Sequence, residues 1–211
     1  MQQADQVVTG NVFDKKATRH PLERRVVAAF DRRLAELVRG LAPRRVVEIG
    51  CGEGNVVSLV KAALPGCFYA AADIDNELLE KSAAKGADRT VLIDLEKPLR
   101  LPFPDRDFDL VLLVEVLEHV PSPESTLAEA ARLAGSAIAS VPFEPWWRLL
   151  NMLRFRYLVS LGNTPGHINH WGRVGLHRLV ARWFRVERVE TSFPWLIAVA
   201  GPLAVPDTRH D

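Results

Sequence analysis

Short apolar strands alternate with helical segments along most of the chain, and this alternation limits the possible folds more than any other feature. The strand-like segments are continuous apolar runs, at 44–50, 67–73, 89–93, 108–114 and 136–141. Helical patterns fill the intervals at 55–64, 76–86 and 122–135, and in the last of these we predict Ser122 as the N-cap and Gly135 as the stop. Continuous apolar strands are typical of a sheet buried on both faces, and intervening helices favour parallel pairing. The sequence therefore predicts an α/β sandwich of three layers.

The 211 residues suit one domain, which divides into four consecutive parts. We predict an N-terminal helical cap at 1–43 and a sheet core at 44–141. An insertion at 142–173 interrupts the alternation, and we expect it to form a helical lid after strand five, at the carboxyl edge of the sheet. Residues 174–211 supply a last helix and two strands, the final one antiparallel, which completes a seven-stranded, mostly parallel sheet.

Charge and cysteine content narrow the class of protein. A formal net charge of +1 argues against a general nucleic-acid binder, since such proteins usually show a strong basic excess. Cys51 and Cys67 lack the spacing of a metal site, and two cysteines without such spacing are typical of a reducing compartment. The first ten residues show no export signal, and no apolar run reaches the length of a membrane span. We therefore predict a cytoplasmic location.

The stretch VVEIGCGEGN (46–55) ends a buried strand with Gly50, Gly52 and Gly54 at alternate positions. Glycines between a first strand and a helix let the backbone approach a ligand closely, because no Cβ intervenes. Their spacing differs from the G-x-G-x-x-G of dinucleotide sites, and the Gly-Lys-Ser/Thr of a phosphate-binding P-loop is absent. The turn therefore indicates close approach to a ligand without a strong need for phosphate.

Three segments in this order resemble the class I S-adenosylmethionine-dependent methyltransferases, in their type 11-like small-molecule branch. They are VEIGCGEG, the acid Asp73 in AAADIDNELL, and LPFPDRDFDLVLLVEVLEHV at 101–120. The resemblance covers roughly 44–141. It implies a Rossmann-like sheet, S-adenosylmethionine as the cofactor, and an enzyme that transfers a methyl group.

The resemblance also implies roles at the ends of strands two and three. Asp73 would accept both ribose hydroxyls of the cofactor, while Asp75 would cap the next helix. Ile74 would pack on the adenine ring, and Asp94, beside Leu95, would accept from the adenine amino group. The structural alternatives are a helix cap for Asp73 and a turn for Asp94.

Other residues would face the methionine end of the cofactor. Glu48 and the backbone of Gly50 could accept from its ammonium group, although Glu48 could instead only anchor the loop. Cys51 lies inside the turn, where we expect a small packing residue rather than a nucleophile. Glu115 follows strand four and would line the same pocket.

Three histidines are candidate bases for a hydroxyl acceptor: His119 in EVLEHV, and His167 and His170 in GHINHW. A structural role stays open for each, because EVLEHV recurs in the family with many substrates and GHINHW could form a capped turn. Methyltransferases that act on nucleobase amines usually carry an Asn/Asp-Pro-Pro-aromatic motif where this chain has VEVLEHV. We therefore predict methyl transfer to a small, apolar acceptor, in the first place at oxygen.

Alternative functions use the same residues. Glu115, Glu118, His119 and one of His167 and His170 resemble the metal-binding set of the small-RNA 3′-terminal 2′-O-methyltransferases. We assign no metal, because the net charge is near zero and EVLEHV is usually metal-free. A nicotinamide-dependent oxidoreductase is a second alternative, against which the early third glycine argues. A non-catalytic, cofactor-binding partner of another enzyme is a third.

The insertion bears on the partners. It contains WWRLLNMLRFRYLVSL, which is rich in Trp, Phe, Leu and Arg. We favour a lid over an apolar small-molecule acceptor. The alternatives are peripheral membrane contact through Arg148, Arg154 and Arg156, and core packing combined with a homodimer contact.

Overall fold

The computed structural model describes residues 21–95, 98–153, 164 and 166–203. Its helices are α1 (Pro21–Leu41), α2 (Asn55–Ala63), α3 (Asn76–Ala84), α4 (Pro123–Leu133), α5 (Trp146–Leu153) and α6 (Arg173–Val180). Its strands are β1 (Arg45–Ile49), β2 (Phe68–Asp73), β3 (Arg89–Leu92), β4 (Phe108–Val114), β5 (Ala134–Pro142), β6 (Arg185–Ser192) and β7 (Trp195–Gly201). The predicted alternation of strands and helices is confirmed.

These strands form one seven-stranded sheet in the order β3-β2-β1-β4-β5-β7-β6. The pairs from β3 to β5 are parallel, whereas β7 is antiparallel to both β5 and β6. The predicted mostly parallel sheet with a final antiparallel strand is therefore confirmed. The chain order reverses at β1, which lies between β2 and β4, and ligands of open α/β sheets bind at the carboxyl ends of strands at such a point.

Helices cover both faces of the sheet, so the buried residues form two layers. Side chains of β1 alternate between them: Val47 and Ile49 pack with α4 and α6, and Val46 packs on the other face with α1 and α2. In α1, Leu34 and Val38 lie one turn apart and are both 0% exposed. Burying one such side chain contributes about 1.5–3 kcal/mol, which explains why the amphipathic α1 docks on the sheet.

Two helix starts follow the predicted capping chemistry. The Asp75 carboxylate accepts from the amide of Glu77 at 2.8 Å, and the Ser122 hydroxyl accepts from the amide of Ser125 at 3.3 Å. Pro123 occupies the first turn of α4, where its missing N–H costs nothing. Asp75, rather than Asp73, is thus the cap of α3, which leaves the Asp73 carboxylate available to the neighbouring turn.

The predicted stop of α4 at Gly135 is wrong. The helix ends at Leu133, and Gly135 already lies in β5. Ala134 pairs with Phe108 of β4, so the sheet ladder satisfies backbone groups that another helical turn would otherwise have to satisfy. The glycine therefore marks the start of a strand rather than a helix C-cap.

The predicted insertion is described in part. It contains α5, and a parallel bridge between Phe143 and Trp171 brings its two ends together. Residues 154–163 and 165, and with them Arg154 and Arg156, lie outside the described residues, as do 1–20 of the predicted cap. In the part of the chain that the structure describes, no helix has both the length and the apolar character needed to cross a membrane.

Candidate functional site

The glycine turn follows β1 at the carboxyl edge of the sheet. Gly50, Gly52 and Gly54 all have left-handed backbone, with φ of 78°, 51° and 73°. The amides of Gly50 and Cys51 both donate to the carbonyl of Ala72, at 2.7 and 3.0 Å, which fastens the turn to β2. Left-handed backbone costs an L-residue roughly 1–2 kcal/mol, so the fold itself favours glycine at each of these positions.

The three glycines nevertheless face different surroundings. A Cβ on Gly50 would lie 2.4 Å from Cγ2 of Val116, and one on Gly54 would lie 2.7 Å from Cα of Ser82. A Cβ on Gly52 would meet nothing within 4 Å. Internal packing therefore requires two of the glycines, whereas Gly52 borders open space into which a ligand can approach the backbone. The turn thus fits the predicted cofactor at Gly52.

Asp73 lies beside this open position. Its Oδ2 accepts from the amide of Gly52 at 2.8 Å, and its Oδ1 accepts from the amide of Ile74 at 2.8 Å. Burial raises the pKa of Asp73, while the backbone amides that donate to it favour the ionised form. Each carboxylate oxygen can accept a further hydrogen bond. Asp73 is thus placed to accept from a diol that enters next to Gly52, as the ribose prediction requires.

Glu48 belongs to a buried polar group below the turn. Its Oε2 accepts from the hydroxyl of Tyr69 at 2.7 Å, and burial raises the pKa of Glu48 to about 8. The hydroxyl of Ser82 contacts Sγ of Cys51 at 3.2 Å, and burial raises the pKa of this thiol. A raised pKa disfavours the reactive thiolate, which supports a packing role for Cys51. The hydrogen bond to Tyr69 supports anchoring by Glu48, and its cofactor role stays a prediction.

The residues proposed for the adenine ring lie at the ends of β2 and β3. The amide of Ile93 donates to the carbonyl of Asp73 at 2.9 Å, which continues the ladder beyond β3. Ile74 and Leu95 are half-buried, and Asp94 is exposed. Two apolar side chains and an acid are therefore at the same edge as Asp73, and their contacts with adenine stay predictions.

A second group of chemically capable side chains follows β4. One ligand atom from each of Glu118, His119 and His167 lies within 4.8 Å of the other two, and we call these residues the Glu–His–His cluster. The two imidazole rings are edge to face, with centroids 4.8 Å apart. Glu118 is 1% exposed and His167 is 8% exposed, so most of the cluster is shielded from water.

A loop at 166–169 carries His167 and is docked on the segment after β4. The amides of Ile168 and Asn169 both donate to the carbonyl of Glu118, at 2.9 and 3.2 Å. The Asn169 side chain donates to the carbonyls of Leu117 and Val120 at 3.1 and 2.8 Å. These bonds hold the two histidine-bearing segments in a fixed register.

Sequence reasoning missed this docking, because an asparagine in GHINHW gives no sign of its distant partners. It also missed Trp147 of α5, whose ring stacks on His167 with 6.2 Å between centroids. The indole nitrogen of Trp147 donates to Oγ1 of Thr164 at 3.0 Å. An apolar stripe in the insertion indicates a packed helix, but not which side chain contacts a candidate base.

Two further predicted site residues lie outside the Glu–His–His cluster. Glu115 is half-buried, has a φ of 56°, and donates its amide to the carbonyl of Ser140 at 3.1 Å. His170 is exposed, and its charge favours the ionised form of Glu144, whose pKa burial raises. The structure therefore brings His119 and His167 together in the cluster, to which His170 does not belong. All three remain predictions as bases.

Comparison with known proteins adds an independent finding. The family model described as Methyltransferase domain matches residues 47–136. A ubiquinone biosynthesis O-methyltransferase from Burkholderia vietnamiensis is 32% identical over 96 residues, which cover 44% of this chain and 40% of the relative. An ajmaline N-methyltransferase from Rauvolfia serpentina is 31% identical over 107 residues, covering 44% and 33%. The chain thus spans less than half the length of these two relatives.

The solved structures agree on the fold. A magnesium protoporphyrin IX methyltransferase from Synechocystis, with bound SAH (S-adenosylhomocysteine), superimposes with a TM-score of 0.62 at 17% identity. The superposition covers 89% of this chain and 90% of that protein. The fold of this chain therefore also occurs in a methyltransferase.

Proposed function

Residues 47–136 form a methyltransferase domain of the class I fold, whose cofactor is S-adenosylmethionine, and from this premise we propose that the chain methylates a hydroxyl oxygen of a small, apolar acceptor. One observation carries the proposal: the open backbone at Gly52 and the Asp73 carboxylate share one sheet edge with the imidazoles of His119 and His167. The carboxylate proposed to bind the ribose and two candidate bases thus lie at the same edge.

The residues that hold the cofactor are those around the turn. Asp73 accepts from the ribose hydroxyls, and the backbone at Gly52 lies against the ligand because its surroundings are open. Ile74 and Leu95 pack on the adenine, and Asp94 accepts from its amino group. The bound cofactor supplies a methyl group that its sulfonium already makes electrophilic.

The Glu–His–His cluster supplies the base. Nδ1 of His119 lies 2.9 Å from the carbonyl of Gly166, which can only accept, so Nδ1 carries the proton and the lone pair of the neutral ring is on Nε2. Nε2 of His119 takes the proton from the acceptor hydroxyl, and the carboxylate of Glu118 stabilises the resulting imidazolium. Such help from a base is worth about 10²–10⁴-fold in rate.

Two observations support a small, apolar acceptor and oxygen as the methylated atom. Aromatic rings lie next to the cluster: Trp147 stacks on His167 and lies 5.8 Å from the ring of Trp195. The Burkholderia relative is named an O-methyltransferase, whereas the Rauvolfia relative is named an N-methyltransferase and supports nitrogen as the alternative. A hydroxyl needs a base more than a neutral amine does, and the cluster provides one.

Matched acceptors test this proposal. The purified chain is incubated with S-adenosylmethionine and pairs of aromatic compounds that differ only in carrying a hydroxyl or an amino group. Formation of S-adenosylhomocysteine and of the methylated product is followed by mass spectrometry. We expect turnover with hydroxyl compounds that falls at least 100-fold in His119→Gln, and no such fall in His177→Gln on α6. Turnover restricted to the amines would overturn the oxygen assignment.

A further inference from the structure

A single hydroxyl group connects α5 to the segment that faces the candidate base. Oγ1 of Thr164 accepts from the indole nitrogen of Trp147 at 3.0 Å and from the side-chain nitrogen of Asn151 at 3.2 Å. The two donors are four positions apart, so they lie on the same face of α5. Because hydrogen bonds are directional, two of them fix where this oxygen lies relative to the helix. We call Trp147, Asn151 and Thr164 the hydroxyl anchor.

The hydroxyl anchor is largely shielded from water. Asn151 is 6% exposed, and Trp147 and Thr164 are half-buried. A buried asparagine amide on a helix rich in Trp, Leu and Met needs hydrogen-bond partners, and Thr164 provides one. Such bonds are stronger than bonds on the surface, because water competes less for their atoms. The anchor can therefore hold Thr164 in a defined position.

The connection continues from Thr164 through the backbone to His119. The amide of His167 donates to the carbonyl of Thr164 at 3.1 Å. Gly166, directly before His167, has left-handed backbone with a φ of 86°, and its carbonyl lies 2.9 Å from Nδ1 of His119. The position of this carbonyl thus depends on Thr164 on one side and on the docking of the loop at 166–169 on the other.

The carbonyl of Gly166 determines which nitrogen of His119 carries the proton. A carbonyl can only accept, so it favours the ring with the proton on Nδ1 and the lone pair on Nε2. This hydrogen bond weakens steeply when the carbonyl is displaced or loses its alignment. The proton can then move to Nε2, and a nitrogen that already carries a proton cannot take one from a hydroxyl group.

We propose that Thr164 is a positioning residue for the base, because it holds the Gly166 carbonyl against Nδ1 of His119 and so keeps the lone pair on Nε2. This role rests on the proposed function, in which Nε2 of His119 takes the proton of the acceptor hydroxyl. Both side chains that donate to Thr164 belong to α5. The helix of the insertion therefore influences proton transfer through the position of Thr164.

Two substitutions of Thr164 provide the test. Thr164→Val keeps the shape of the side chain but removes the acceptor of both bonds from α5, whereas Thr164→Ser keeps the hydroxyl. With a hydroxyl compound as acceptor, we expect kcat to fall at least tenfold in Thr164→Val, since a base contributes about 10²–10⁴-fold. KM should change little, because only an interaction that matters in the transition state is lost. Thr164→Ser should recover most of kcat.

Thr191→Val on β6 is the matched control. It also removes a threonine hydroxyl that accepts from a side chain, in this case from Arg173 at 2.7 Å. We expect its kcat to equal that of the wild type. An equal fall of kcat in Thr191→Val and Thr164→Val would overturn the proposal, as would a failure of Thr164→Ser to recover activity.

A measurement on the protein without acceptor needs no turnover. The ¹⁵N NMR shifts of the His119 ring distinguish its two tautomers. We expect the proton on Nδ1 in the wild type and in Thr164→Ser, and a population with the proton on Nε2 in Thr164→Val. Trp147→Phe keeps a ring against His167 but removes the indole N–H, and it should change the tautomer in the same direction. This second variant keeps the test valid if Thr164→Val does not fold.

The two measurements separate this proposal from the proposed function. An unchanged tautomer of His119 in Thr164→Val and Trp147→Phe would overturn the positioning role, even if the wild type methylates hydroxyl compounds. If the wild type methylates no hydroxyl compound, the proposed function fails, and the tautomer measurement still decides whether Thr164 positions the ring of His119.

Discussion

Two carboxyl groups on neighbouring strands lie near the glycine turn, and burial raises the pKa of both, but their hydrogen-bond donors differ. Asp73 accepts from two backbone amides, which favour its charged form. Glu48 accepts from the hydroxyl of Tyr69 and is otherwise surrounded by sheet and helix, so burial raises its pKa to about 8. The first environment suits a charged hydrogen-bond acceptor for a ligand, and the second suits a structural carboxyl that stays protonated near neutral pH.

Neutralising Asp73 should weaken the cofactor complex. Asp73→Asn keeps an oxygen for one backbone amide but loses the charge-assisted bonds to the ribose, which are worth about 1–3 kcal/mol. We expect the Kd for S-adenosylhomocysteine to rise by roughly 5- to 150-fold in calorimetry. Asp75→Asn is the matched control, because asparagine also caps α3 and the same charge is removed two positions away. Equal affinity in both variants would contradict the assignment of Asp73 to the ribose.

Glu48 should make the stability of the protein depend on pH. Its pKa of about 8 exceeds the value of about 4.3 in an unfolded chain. Between these pH values the folded state binds more protons, so the free energy of unfolding falls as pH rises, by up to about 1.4 kcal/mol per pH unit, and levels off above the folded pKa. Glu48→Gln removes this slope.

Urea unfolding of wild type and Glu48→Gln from about pH 5 to about pH 8 measures the effect, since the linkage lies between the folded and unfolded pKa. The stability difference should shift in favour of the glutamine variant as pH increases. Glu80→Gln, exposed on α3, should stay parallel to wild type. A constant difference between Glu48→Gln and wild type would mean that Glu48 is ionised throughout.

At the scale of elements, two glycines of the turn are required by packing between elements, and the third leaves room for a ligand. Gly54 packs against the backbone of α3 at Ser82, and Gly50 packs against Val116 in the segment after β4. The turn thus sets how closely α2, α3 and the β4 segment approach one another. Gly52, between them, has open space where its Cβ would lie, although its carbonyl accepts from the Ser82 hydroxyl at 3.1 Å.

This separation predicts different outcomes for two equal substitutions. Gly52→Ala should cost about 1–2 kcal/mol of stability for its left-handed backbone and should weaken S-adenosylhomocysteine binding at least tenfold, because a methyl group fills the open space. Gly54→Ala carries the same backbone cost and also forces a Cβ to within 2.7 Å of Ser82 Cα. Its melting temperature should fall further than that of Gly52→Ala.

Thermal unfolding measures the stability of the two variants, and calorimetry measures their affinity for S-adenosylhomocysteine. Gly40→Ala in α1, where a Cβ meets nothing within 4 Å and no left-handed backbone is needed, is the control for adding a methyl group alone. Tight S-adenosylhomocysteine binding by Gly52→Ala would show that the open space beside the turn is not the cofactor site.

For the whole molecule, the parts that local sequence determines could be predicted and those that distant pairing determines could not. Parallel strands end at one edge, so Asp73 was expected beside the glycine turn, and the Asp75 cap followed from its position before a helix. The predicted stop of α4 at Gly135 is wrong because pairing of Ala134 with β4 ends the helix earlier. The hydrogen bond from the Asn169 side chain to the carbonyl of Leu117 could not be predicted either, since no local sequence pattern indicates that these two distant segments pair.

The ligand that stabilises the whole domain distinguishes the proposed function from a nicotinamide-dependent oxidoreductase. A ligand at 100 times its Kd adds about 2.7 kcal/mol to stability, and a domain of this size gains about 2–4 °C per kcal/mol. S-adenosylhomocysteine should therefore raise the melting temperature by about 5–10 °C, and NAD⁺ and NADP⁺ at equal concentration should leave it unchanged. The Asp73→Asn variant should lose most of the increase, which ties the effect to the carboxylate beside Gly52. A larger shift with a nicotinamide nucleotide would instead mean that the turn accommodates a pyrophosphate despite its G-x-G-x-G spacing, and the methyltransferase proposal would fall.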